Sequence, residues 1–183
     1  HVVYLSALTT CRIAVVILVS SVIWVPIGVW IGSNTKASAI VQPVAQFLAA
    51  FPINLLFPVA AMLILHYHLN VNIWCSPLMI LGTQWYILFN VIAGAMMLPK
   101  NLRFAVGTLN VTGWLKWRKL ILPAIFPYFI TGAITAAGGA WNITIIAEAI
   151  QWGQHELNAD GVGAYITAAS NNGNFPQLAL GII

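Results

Sequence analysis

Apolar residues fall along this chain in blocks too long for the core helices of a soluble domain. Four charge-free stretches, at 13–32, 39–65, 74–98 and 120–140, each reach the roughly 20 residues a helix needs to cross the hydrocarbon of a bilayer. A fifth apolar run begins near Phe175 and ends at Ile183. It is shorter than a span, so the expectation is a chain that continues past Ile183, its last helix truncated here. No alternation strong enough for a β-barrel interrupts the pattern. The predicted fold is an all-α integral membrane protein, a bundle of about five spans forming one domain over 1–183, with lipid as its solvent.

Composition sharpens that picture. Charged residues make up 5% of the chain and hydrophobic ones 61%, against about 25% charged in an ordinary soluble protein. The isoelectric point near 9.3 does not indicate a nucleic-acid partner, because the cations are few and stand beside apolar runs. Such cations set orientation instead, being retained on the cytoplasmic side of short loops. Lys100, Arg103, Lys116, Arg118 and Lys119 fall within 100–119, which makes that loop cytoplasmic. Lys36 agrees, two spans earlier. The 66–72 connection and the segment holding Glu148, Glu156 and Asp160 then face outside, and Arg12 is the one dissenting cation.

Inside the predicted spans, Pro43, Pro52 and Pro58 predict a bent second helix, since proline removes a backbone donor. Asn54, Gln84, Asn90, Thr131 and Thr135 are the weak candidates for a substrate pathway. Their alternative role is to hold helices together. No span carries a charge well inside it, so no buried ion pair is expected. The three acids read as an exposed loop. Cys11 and Cys75 read as two buried thiols, and His66 and His68 as interfacial side chains rather than a metal site. No phosphate-binding loop, zinc motif or nucleophile elbow is present, so neither a catalytic residue, a cofactor nor a metal is expected.

The basic loop carries a resemblance. Its segment from Phe104 to Pro123 resembles the signature loop of binding-protein-dependent ABC importer permeases. That loop runs Glu-Ala-Ala, then Gly four residues after the last Ala, then nine residues and a hydrophobic-x-Leu-Pro ending. Here Phe104-Ala105-Val106 stands at the Glu-Ala-Ala positions, Asn110 at the Gly, Leu120 at the hydrophobic position and Leu122-Pro123 at the end. Ala105, Leu109, Thr112 and "KWRK" match; the Glu and the Gly do not. The order of the surrounding blocks adds to the likeness: a proline-rich helix before the loop, then "GGAWNITIIAEAI" and "GVGAYITAASNNGNFPQLALGI" after it. It is most similar to permeases of the taurine, nitrate and sulfonate type, and to anion permeases with two such domains fused in one chain.

The resemblance implies a permease half-pathway for a small anion such as nitrate, a sulfonate or bicarbonate, in the cytoplasmic (inner) membrane of a bacterium or archaeon. It implies a second permease domain, fused or homologous, a periplasmic substrate-binding protein and cytoplasmic ABC ATPase subunits that hydrolyse the ATP. It places a coupling helix for the ATPase in 100–119, at Phe104, Leu109, Asn110, Val111, Thr112, Gly113, Trp114 and Leu115. From the residues, Phe104, Val111 and Leu115 fall on one face at helical spacing, and Asn110 or Thr112 is placed to cap a short helix. Two rivals stand beside this reading. A secondary transporter should show paired repeats and broken helices in corresponding positions, or intramembrane charges. An intramembrane enzyme should show a nucleophile and base at membrane depth.

Overall fold

The computed structural model describes residues 2–152 and 155–182, with the backbone alone for 100, 103, 151, 152, 155 and 156. The side chains of Lys100, Arg103 and Glu156 therefore lie outside the described residues. Helix α1 covers Val2–Ser33, α2 Thr35–Ala49, α3 Phe57–His66 and α4 Val71–Met96. Two short helices follow, α5 at Lys100–Thr108 and α6 at Gly113–Lys116. A π-helical turn at Trp117–Ile121 leads into α7, Leu122–Ala147. A hairpin of β1 (Ala149–Trp152) and β2 (His155–Asn158) pairs antiparallel, with Ala149 opposite Asn158. Helices α8 (Val162–Asn171) and α9 (Phe175–Ile182) complete the order.

The all-α membrane class is borne out. Among the described residues, three helices are long and apolar enough to cross a membrane: α1, α4 and the continuous stretch Gly113–Ala147. A fourth span is available only if a broken pair counts as one. The run at 39–65 is that pair, and its breakpoint is specific. Pro43 is accommodated inside α2, and Pro58 sits in the first turn of α3, where its missing N–H is not needed. Pro52 does the breaking. It is extended (φ −69, ψ 107) ahead of a 3₁₀ turn at Ile53–Leu56, and its ring disfavours helix for the residue before it. The fifth predicted span appears as an eight-residue helix, α9.

Two compact units pack around separate cores. One comprises the chain up to Val19, Phe51–Thr83 and Ala137 onwards. Its core gathers Ile13 and Val16 of α1, Phe57 and Ile64 of α3, Cys75 and Met79 of α4, and Ile150 of the hairpin. The other comprises Ser20–Ala50 and Gln84–Ala136. There Ile31, Ala45, Leu88 and Ile92 are buried beside Trp24, Trp85 and Phe89. Close approach of helices in this second unit depends on missing side chains, as in membrane packing generally. A Cβ on Gly32 would come to 2.5 Å from the carbonyl oxygen of Ile92, and one on Gly132 to 2.9 Å from that of Tyr86.

Candidate functional site

The basic loop is two helices and a turn, and its local sequence explains the break. Helix α5 ends in a closed C-terminal motif. The N–H of Val111 donates to the carbonyl of Val106, and the N–H of Asn110 to that of Gly107, both at 3.1 Å. This geometry needs a left-handed residue just past the helix, and Asn110 supplies it at φ 53. Asparagine tolerates that conformation better than any side chain with a bulkier Cβ branch. The departure from glycine at this position is thus met by the residue type nearest to glycine in backbone freedom.

The turn also corrects two expectations. Phe104, Val111 and Leu115 do not share one helical face, because α5 stops at Thr108 and α6 starts at Gly113. Asn110 closes α5 rather than opening a helix, and Thr112 precedes α6 in extended conformation without a side-chain capping bond. Beyond α6, the widened turn at 117–121 precedes Pro123, which has no N–H for the carbonyl of Lys119. Local π adjustments of this kind re-satisfy backbone groups freed by proline.

Large apolar side chains stand out from this loop. Phe104 is 75% exposed, Leu109 74%, Trp114 72% and Leu115 53%. Val111 is half-buried, and Lys116, Arg118 and Lys119 are exposed around them. Apolar anchors rimmed by cations have the composition of a protein interface.

Three of the pathway candidates form hydrogen bonds within their own helices. Asn90 donates its amide to the carbonyl of Tyr86 at 2.8 Å, inside its own helix. Thr131 donates to the Pro127 carbonyl at 3.1 Å and Thr135 to that of Thr131 at 2.8 Å, so both hydroxyls serve α7 itself. Gln84 is buried. Asn54, on the 3₁₀ turn, lines a groove of ≈ 360 Å³ with Pro58, Ile146, Thr167 and Asn171.

The structure reveals a polar centre that the sequence pattern did not disclose. Glu148 is fully buried and pairs with Arg12, itself 11% exposed. This overturns the exposed reading for Glu148, though not for Asp160, which is exposed, and it overturns the absence of a buried ion pair. The carboxylate is amply partnered. Thr9 donates its hydroxyl to both carboxylate oxygens, at 2.9 and 3.2 Å. The N–H of Gly163, in the first turn of α8, donates to Oε2 at 2.8 Å. Helix N-termini favour an anion there. Thr9 in turn accepts the N–H of Val162 at 3.0 Å.

Gly161 and Gly163 make room for this arrangement: a Cβ on the first would overlap the Glu148 carboxylate, and one on the second the Thr144 carbonyl. Around the rim, Arg12 donates to the Asp160 carbonyl at 3.2 Å, and Asn72 donates to the Asp160 carboxylate at 3.0 Å. The arrangement binds α1, α4, the hairpin and α8 into one unit. Its hydrogen bonds close on one another, which ties these elements together. The sequence did hold a signal: two opposite lone charges, each bordering an apolar run. Cys75 is buried, but Cys11 is exposed, which corrects the reading of two buried thiols.

The family model described as binding-protein-dependent transport system inner membrane component matches residues 24–183. Over 173 residues the chain is 26% identical to the bicarbonate transport system permease protein CmpB of Synechococcus elongatus, covering 94% of this chain and 59% of that one. It is 24% identical over 172 residues to the nitrate import permease protein NrtB of Leptolyngbya laminosa, covering 94% and 58%. The chain thus spans less than two thirds of the length of these relatives.

Proposed function

This chain belongs to the family of binding-protein-dependent transport system inner membrane components, and from that premise we propose that residues 1–183 act as one permease domain of an ABC importer for a small oxyanion. The domain forms half of the pathway and pairs with a second permease domain. A substrate-binding protein delivers the anion from outside, and separate cytoplasmic ATPase subunits hydrolyse ATP. The relatives' substrates, bicarbonate and nitrate, support the anion class.

Coupling runs through 100–119. The observation that carries this assignment is the exposure of Phe104, Leu109, Trp114 and Leu115 between cations. Cations hold the loop in the cytoplasm, because translocating them is costly. The apolar side chains they flank are then free to bury against a partner subunit, with Asn110 fixing the turn between the two short helices. Asn54 remains the pathway-facing candidate of the first unit.

The test is uptake of labelled nitrate and of labelled bicarbonate by membranes containing the permease with its co-purifying subunits. ATP-dependent accumulation of either anion is expected. Uptake that persists without ATP and without any attached ATPase would contradict the assignment and favour a secondary transporter.

A further inference from the structure

Helix α2 has three faces. Val41 and Ala45 turn into the core of their unit. Ile40, Val44, Phe47 and Leu48 are exposed on the side suited to lipid or another apolar surface. The third face is polar: Thr35, Ser38, Gln42 and Gln46 recur at spacings of three and four, which keeps them in one stripe. They line an open groove of ≈ 380 Å³ together with Met96 of α4. A polar stripe on an apolar helix is costly to leave against lipid; along it Ser38 is buried, Gln42 half-buried and Gln46 exposed.

The hydrogen bonding within the stripe is unusual. Ser38 directs its hydroxyl at the Met96 thioether, 3.6 Å away, and Gln42 points its amide at the same sulfur, 3.3 Å away. Gln42 also donates to Ser38. A thioether is among the weakest acceptors in a protein. Beyond the Gln42–Ser38 bond, both donors therefore turn to a poor acceptor beside open space, and Gln46, one turn further along, is exposed. Pro43 adds to the polarity, because it has no N–H for the carbonyl of Ala39, which borders the same groove.

We propose that Ser38, Gln42 and Gln46 form an oxyanion-binding stretch of the translocation pathway, in which a small anion replaces the Met96 sulfur as acceptor. The inference rests on the permease reading and deepens it. It adds α2 to the pathway candidates Asn54, Gln84, Asn90, Thr131 and Thr135. Neutral donors suit a transient site. They compensate part of the anion's lost hydration without the tight hold of a fixed cation, so the ion can leave.

The test is uptake of labelled nitrate and bicarbonate by the assembled transporter carrying Gln42→Met, Gln46→Ala or Gln46→Glu. Gln42→Met keeps side-chain volume but removes the donors. Gln46 is exposed, so its variants should fold normally, and matched membrane levels and ATPase association check this. Removing one donor to a charged ligand should raise the KM for the transported anion by about tenfold, and Gln46→Glu should exceed that by repulsion. Wild-type kinetics in all three variants would overturn the α2 site and leave the permease reading intact. A wild-type transporter that accumulates neither anion would overturn both.

Discussion

Arg12 and Glu148 stand 136 residues apart in the chain and form one ion pair. Burying charge is unfavourable unless every partner is present, and here Thr9, Gly163 and the start of α8 complete the set. Breaking a buried pair by removing one partner typically costs about 3–5 kcal/mol. Glu148→Ala and Arg12→Ala should each lower the thermal stability of the detergent-solubilised protein sharply. The double variant should lose less than the sum, because no orphaned charge remains. Strictly additive losses would show that the two side chains do not stabilise the fold through each other.

The turn at Asn110 offers a cleaner backbone test. Its φ of 53 suits glycine at no steric cost, so Asn110→Gly should keep stability and transport. Asn110→Val places a β-branched residue in the left-handed region, at a cost of about 1–2 kcal/mol. It should disturb the end of α5 and weaken coupling. Equal transport by the two variants would mean that the turn geometry does not matter to function.

Much of the fold was legible because a bilayer imposes a length. The apolar runs at 13–32, 74–98 and 120–140 lie within α1, α4 and the stretch reaching α7, give or take a turn. The 39–65 run read as one span because all three prolines looked alike in sequence. Only their local setting separates them: Pro52 is extended, whereas Pro43 and Pro58 are absorbed by helix. The pairing of Arg12 with Glu148 has no periodic signature, since it depends on which distant elements meet. Thr131 and Thr135 show the converse. Their spacing does place them on one helical face, yet their hydroxyls bond their own backbone, which spacing cannot report.

Orientation can be read from thiol chemistry. Cys11 is exposed and Cys75 buried, while Asn101 and Asn158 are exposed. In sealed cells, a membrane-impermeant maleimide should label Asn158→Cys, and Asn101→Cys only after the membrane is opened. Both variants belong in a Cys11→Ser background, since Cys11 would otherwise contribute signal. The opposite pattern would place the 100–119 loop outside and remove any ATPase from its reach.

We propose that this loop is a mechanical joint seated in an ATPase, and Trp114 is the residue on which to test it. The side chain is 72% exposed, so Trp114→Ala removes little from the permease's own packing. Loss of a central aromatic anchor costs about 2 kcal/mol or more, near a thirtyfold loss of affinity. Lys116→Gln and Lys119→Gln should do far less, because rim charges contribute little. The measurement is ATPase co-purification together with anion uptake, at matched permease levels in the membrane. Trp114→Ala should lose subunit association and uptake in parallel while the lysine variants keep both. Normal association and normal uptake in Trp114→Ala would contradict it and leave the loop a signal for topology alone.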